Sequence, residues 1–259
     1  MLPREKVSIG LRIQREREFQ NKKVTEEVRA PVAKWYSITR SSREFYEGVL
    51  RSNCQSKRVL DCGSGSGKDT FYLAKNGAIV TGIDISDITI EEAKRRAFQK
   101  DGASNASFLI MNAEELKFDN DYFDIVCGNA VLHHLDLNRA LGEITRVLKP
   151  NGKAVFMEPL GDNFFINLYR RLTPQFRSGD EHPLLNGDLR LMQCFFGQVD
   201  IRYFHLMSLL TIPFRKLAVF AFLLKMMENI DRLLFKLAFF KKRAWRAVIM
   251  LSKPRKGTG

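Results

Sequence analysis

From residue 57 onward, short runs of apolar residues alternate with longer stretches in which apolar positions recur every three or four residues. Runs of the first kind suit strands buried on both faces, and stretches of the second kind suit amphipathic helices. The pattern predicts strands at 57–62, 78–83, 106–111, 123–127 and 153–157. Between them it predicts helices at 68–76, at 86–100 with Ser86 as N-cap, and at 137–148, the last ended by Lys149-Pro150-Asn151-Gly152. Two amphipathic stretches, 11–29 and 34–50, come first and bring in Trp35, Tyr36, Phe45 and Tyr46. After Pro159 the rhythm changes to an aromatic-rich helix at 163–171, a polar loop at 173–188, a strand at 199–207 and a last strand at 244–251. A long apolar and basic helical segment, 209–242, separates those two strands.

Strands alternating with helices imply an α/β protein with a mostly parallel sheet covered on both faces. At 259 residues the chain suits one such domain with one sizeable insertion. The division expected is a helical cap over 1–52 and a core over 53–259. Within that core lie a substrate-side region at 159–195 and the helical insertion at 209–242. The first twenty residues have no continuous apolar run, so neither a signal peptide nor a membrane span is expected there.

Chemistry first shows in Val59-Leu60-Asp61-Cys62-Gly63-Ser64-Gly65-Ser66-Gly67, where alternate glycines sit at a strand-to-helix turn. Glycine there permits positive φ and close approach of the backbone to a ligand. A dinucleotide-binding protein is the competing reading, although its fingerprint is G-x-G-x-x-G and this one is G-x-G-x-G. Asp84 closes the second strand, where a carboxylate can accept two hydrogen bonds from a ribose diol; its alternative is an acid at a helix N-terminus.

In this order the motifs resemble the class I S-adenosylmethionine-dependent methyltransferases. Within these they are most similar to the type 11 group that includes ubiquinone and menaquinone methyltransferases. The resemblance runs over residues 58–157. It implies a Rossmann-like, doubly wound sheet of about seven strands, mostly parallel with the last one antiparallel. It further implies that Asp61, Gly63, Gly65 and Gly67 pack against the methionine part of the cofactor, and that Asp84, followed by Ile85, holds the ribose. Asn112-Ala113-Glu114 would border the adenine, with asparagine where the group more often has aspartate. Asn129 would touch the amino-acid end. Residues 143–152, Glu-Ile-Thr-Arg-Val-Leu-Lys-Pro-Asn-Gly, complete the pattern. S-adenosylmethionine is the implied cofactor and S-adenosylhomocysteine the product.

Methyl transfer from a sulfonium needs an aligned nucleophile, and a base only where that nucleophile carries a proton. Candidates for that role are His133, His182 in Gly-Asp-Glu-His-Pro, and Glu158 at the end of the fifth strand. Against each stands a packing or solvated-loop role, and His133 and His134 also fit cofactor-side packing. Cys62 and Cys127 read as small buried residues. No Asn-Pro-Pro-Tyr element of the amino-methylating nucleic-acid enzymes is present.

Charge changes the picture at the C-terminal end. The net charge is +13, and residues 202–259 hold 13 Lys or Arg against two acids, Glu228 and Asp231. Lys225, Glu228, Arg232 and Lys236 share one helical face, leaving a wide face with Phe222, Leu223, Met226, Ile230, Leu233, Leu234 and Leu237. Uncharged runs there are too short to cross a bilayer but suit an interfacial helix, so peripheral contact through 209–243 is expected. The alternative is a lid packed on its own core. A lipid-like or other small-molecule acceptor follows from membrane contact. The rival readings are an RNA methyltransferase, disfavoured for lack of an aromatic-interleaved recognition module, and a non-catalytic cofactor-binding subunit of a complex. The scattered cysteines, Cys54, Cys62, Cys127 and Cys194, give no metal-site or disulfide spacing, and the expected setting is the cytoplasm, peripheral on its membrane face.

Overall fold

In the computed structural model, which describes residues 9–25, 33–99, 104–173 and 182–256, the chain begins with α1 (Ile9–Thr25), the short α2 (Ala33–Tyr36) and α3 (Arg40–Arg51). Strands and helices then alternate through β1 (Arg58–Cys62), α4 (Lys68–Lys75), β2 (Ile79–Asp84), α5 (Asp87–Gln99), β3 (Ala106–Ile110) and β4 (Phe123–Asn129). Next come α6 (Leu137–Val147), β5 (Leu148–Pro159), α7 (Phe164–Leu172), α8 (Asn186–Phe195) and β6 (Phe196–Phe204). A 3₁₀ helix (Met207–Phe214), α9 (Phe220–Leu234), α10 (Ala238–Lys241) and β7 (Arg246–Pro254) complete the described chain.

Among the described residues seven strands form one sheet in the order β3-β2-β1-β4-β5-β7-β6. Neighbours from β3 across to β5 are parallel, and β7 runs antiparallel to both β5 and β6. The central strands are apolar on both faces because both are covered. Leu60, Val126 and Phe156 meet Leu141 and Ile144 of α6 on one side, while Val59, Val80 and Val155 meet Tyr46, Leu50 and Leu73 on the other. The strand order reverses between β1 and β4, so a crevice opens beyond their carboxyl ends, where open α/β sheets bind ligands.

Three expectations are corrected. Lys149-Pro150-Asn151-Gly152 does not lie outside the strand: β5 begins at Leu148, paired with Phe123, and its ladder resumes at Lys153 opposite Ile125 after a register irregularity. The polar loop expected at 173–188 gives way at Asn186 to α8, whose Leu189 and Met192 are buried; residues 174–181 lie outside the described residues, as do 26–29 of the first expected helix. The segment 209–242 is not one helix but a 3₁₀ helix containing Pro213, then α9, then α10.

The apolar face of α9 is also divided. Phe220, Leu224, Asp231 and Phe235, four and seven residues apart, turn inward: Phe220 and Leu224 pack with Ile38, Ile166, Ile212 and Trp245, and Phe235 against the main core. Phe222, Met226, Ile230, Leu233 and Leu237, three and four residues apart, form a second stripe, and all are exposed. Lys225, Arg232 and Lys236 form a third stripe beside it, also exposed. Buried Asp231 fastens the helix by accepting hydrogen bonds from the backbone N–H groups of Leu206, Met207 and Ser208 and from Ser208 Oγ.

Candidate functional site

The turn between β1 and α4 is held open by Gly63 and Gly65, both at positive φ (67° and 51°). A Cβ on Gly63 would lie 2.8 Å from Val131, so this glycine lets the β4 turn approach; a Cβ on Gly65 would meet nothing within 4 Å and faces open space. Gly65 N donates to Asp84 Oδ2 (2.9 Å) and Ser86 N to Asp84 Oδ1 (2.9 Å), which aims the carboxylate at the end of β2 beside that space. Burial raises the Asp84 pKa above the ordinary carboxylate value, opposed by the backbone donors of Ser86 and Gly65.

A cleft of about 830 Å³ runs along the carboxyl ends of the strands. Gly63, Gly65, Asp84 and Ile85 line one end, and Asn112, Ala113, Glu114 and Asn129 continue the wall. The other two residues expected at the cofactor, Asp61 and Gly67, lie beneath the turn and do not line the cleft. Asp61 is buried, accepts a hydrogen bond from Thr70 Oγ1 (2.7 Å), and has its pKa pushed up to about 8 by burial and by Asp69. It ties β1 to α4, so its effect on a ligand acts through the glycine turn. Cys62 and Cys127 are buried as well, with thiol pKa values raised first by burial and then by Asp61, which leaves them as packing groups.

The three residues expected near the acceptor separate. His133 is buried at 4% exposure and lines the cleft, and its Nδ1 lies 2.7 Å from Glu158 Oε2. Glu158 is wholly buried and does not line the cleft; Oε1 accepts the N–H groups of Val131 and Leu132, both at 2.9 Å. Its carboxylate therefore shapes the turn after β4 and orients the histidine. His182 is exposed and does not line the cleft; its backbone N donates to His133 O (3.0 Å), and the flanking Asp180 and Glu181 are outside the described residues.

Several cleft residues carry no local sequence signal. From α1, Arg12 reaches across to both oxygens of buried Glu114 at 2.5 Å and to His134 O at 3.0 Å, so α1 roofs this end of the cleft. On the far side, beyond β4, stand Trp35, Tyr36, Tyr169, Trp245 and Arg246. A charged pattern at the chain start and isolated aromatics hundreds of positions from their partners offer no spacing from which a site could be read.

The family model described as a methyltransferase domain matches residues 60–156, the stretch that holds the glycine turn, Asp84 and the His133 turn. Residues 60–156 are thus similar to methyltransferase domains. A ubiquinone biosynthesis O-methyltransferase of Coxiella burnetii is 37% identical over 116 residues, 44% of this chain and 48% of that protein. The chain thus spans about half the length of such relatives. An S-adenosylmethionine-dependent methyltransferase from Methanosarcina mazei is similar in structure at a TM-score of 0.54 and 25% identity, over 79% of this chain and 96% of that one. Phosphoethanolamine N-methyltransferase 2 of Haemonchus contortus, solved with S-adenosylmethionine, shares the fold at a TM-score of 0.59 and 17% identity, over 82% and 53% of the two chains. The matched stretch accordingly sits where the sheet reverses, and the elements outside it supply the roof and the far wall of the cleft.

Proposed function

We propose that this chain transfers a methyl group from S-adenosylmethionine to a lipid-like small molecule taken up at a membrane surface. The cleft suits the cofactor on three counts. Asp84 presents a carboxylate for a ribose diol, Gly65 leaves room for a close ligand, and Asn129 Oδ1 is a buried acceptor without a hydrogen-bond partner, fitted to an ammonium group. When bound, the cofactor supplies an electrophilic methyl on a sulfonium. Asn112, Ala113 and Glu114 then border the base. Glu158 takes the Nδ1–H of His133, which puts the ring's lone pair on Nε2 and makes His133 the residue to accept a proton from the acceptor. Trp35, Tyr169 and Trp245 close the far wall and exclude water.

The observation that carries the lipid-like acceptor is the division of α7. Ile166, Tyr169 and Arg170 line the cleft, whereas Phe164, Phe165, Leu168 and Leu172 on the same helix are 48–71% exposed. The inward sides of α7 and α9 share an apolar cluster of Ile166, Ile212, Leu224 and Trp245, and α9 carries its own exposed apolar stripe beside Lys225, Arg232 and Lys236. Exposed apolar side chains edged by cations suit anionic lipid head groups. Among the described residues no helix is long and apolar enough to cross a membrane.

The test is a calorimetric titration with S-adenosylmethionine and, separately, NADH. It is followed by transfer of labelled methyl groups to a total lipid extract presented in vesicles with and without phosphatidylglycerol. Micromolar binding of the first ligand alone, with label recovered in the organic phase, is the expected result. NADH binding alone would replace the methyltransferase reading, and label confined to water-soluble acceptors would remove the lipid one.

A further inference from the structure

The far wall of the cleft holds a buried cation that no acidic side chain neutralises by contact. Arg246 is 8% exposed, lines the cleft, and forms no ion pair among the described residues. Its Nη1 has only the Met157 sulfur, at 3.9 Å, and its guanidinium lies 5.5 Å from the Trp245 ring and 5.8 Å from that of Tyr36. Its Nε is buried without a hydrogen-bond partner, and so is Trp35 Nε1. Trp35 stands 6.2 Å from Trp245 and 4.7 Å from Tyr169, ring to ring. Two unsatisfied N–H donors therefore belong to one aromatic cluster, with the Lys34 ammonium over the outer rings at 5.6–5.9 Å.

Glu158 is near enough for its charge to act on Arg246, but it makes no contact with the guanidinium. It pairs with Ala247 in the β5–β7 ladder, while Arg246 pairs with Pro159, so the two side chains leave opposite faces of the sheet. Both Glu158 oxygens are already held by the His133 turn. Nor is the cofactor's own carboxylate the missing partner. Arg246 on β7 is four strands from Asp84 on β2, roughly 19 Å at the usual strand spacing. With the ribose at Asp84 and the ammonium at Asn129 on β4, as proposed above, the cofactor's carboxylate stays at the β1–β4 end of the cleft, two strands from β7. A buried, unpaired guanidinium is costly to keep unless a bound anion satisfies it.

We propose that Arg246 and Trp35 bind an oxyanion, a carboxylate or a phosphate, carried by the methyl acceptor, with Tyr36, Tyr169 and Trp245 enclosing the apolar stem next to it. This rests on the acceptor lying beyond the cofactor, as in the function proposed above. The acceptor is then an anionic amphiphile. Its charged group is held at the β5–β7 end of the cleft, and the nucleophile is placed between that anchor and His133.

Trp35 and Trp245 are the two tryptophans of the chain, so intrinsic fluorescence reports occupancy of this wall. Protein saturated with S-adenosylhomocysteine is titrated with decanoate, decyl phosphate, decan-1-ol and decylamine, all below their micelle concentrations. At least one anion is expected to bind about tenfold or more tightly than the alcohol, and the amine most weakly. The two anions distinguish a carboxylate site from a phosphate site. Arg246→Met should bring the preferred anion to the affinity of the alcohol, and Arg246→Lys should keep part of the preference. The proposal is overturned by equal affinities for anion and alcohol in the unaltered protein, by a preference that survives Arg246→Met, or by no response to either anion. If Arg246→Met does not fold, the unaltered protein and Arg246→Lys still decide it. Calorimetry with S-adenosylhomocysteine, run first, separates the two readings: failure there removes the cofactor assignment, and the anion preference is then measured on the protein alone.

Discussion

His133 Nδ1 and Glu158 Oε2 are 2.7 Å apart in a pair that closes the turn after β4, and the second Glu158 oxygen holds the backbone of Val131 and Leu132. One buried carboxylate therefore sets both the shape of the turn and the tautomer of the ring in the cleft. His133→Asn is expected to lower kcat by about 10²–10⁴ for an acceptor that loses a proton, with cofactor Kd changed less than about threefold. Glu158→Ala leaves the buried Leu132 N–H and the part-buried Val131 N–H unpaired and is expected to cost about 2–4 kcal/mol in urea unfolding. An unchanged kcat in a folded His133→Asn variant would return the ring to a packing role.

Asp84→Ala removes the carboxylate aimed by Gly65 and Ser86. Binding of S-adenosylmethionine is expected to weaken at least about tenfold, the loss of a charge-assisted contact worth roughly 1.5–3 kcal/mol. Isothermal titration checks this, and undiminished affinity in a folded variant would sink the ribose assignment.

Arg12 and Glu114 form one of the contacts that hold α1 over the cleft, beside those of Arg17 and Asn21 with Asp87, and Glu114 is 3% exposed. Arg12→Ala leaves that carboxylate with Asp136 N at 3.0 Å and Arg139 at 3.8 Å. Hydrogen exchange in α1 is expected to accelerate by about tenfold or more while the amides of β1 and β4 keep their protection. Equal acceleration in all of these elements would show that the contact stabilises the whole fold and not the roof.

Phe222 is 69% and Leu233 62% exposed, so replacing both by Asp should leave unfolding within about 1 kcal/mol of the parent. Each such side chain contributes about 1.5–3 kcal/mol when it enters an apolar phase. The pair is therefore expected to lower binding to phosphatidylglycerol vesicles by more than about tenfold in a flotation assay. Vesicle binding that ignores these substitutions would place the contact on another surface.

His205 is 1% exposed and its pKa is lowered from 6.5 to about 3, first by burial and then by Arg246. Its Nε2 lies 2.9 Å from Ser42 Oγ. Below pH 6.5 the unfolded chain takes up a proton that the folded one refuses. Stability should therefore fall as pH drops from about 6.5 toward 3, with this residue adding up to about 1.4 kcal/mol per pH unit. In His205→Asn that part of the slope should vanish from pH-dependent urea unfolding. Identical slopes in the two proteins would assign the acid sensitivity elsewhere.

What the sequence determined by itself is local. The alternation of strands and helices, the glycine turn and the acid closing β2 were legible, because each is a short local pattern, and the reversed last strand was implied by the resemblance those motifs carry; Gly65 and Asp84, 19 positions apart, meet once two parallel neighbouring strands end together. The cationic, apolar character of the C-terminal segment was legible too. Its division into an inward and an outward stripe was not, since periodicity marks every apolar position and cannot tell which of them the core will cover. The rest was decided by tertiary structure. Arg12 meets Glu114 across 102 residues, and His205 meets Ser42 across 163. Arg246 joins Trp35 in the wall of one cleft only because β7 inserts between β5 and β6. Glu158 looked like a base at a strand end until both its oxygens proved to be bound. Such pairs rest on the order of strands in the sheet and on which helix covers which face, and no spacing along the chain encodes them.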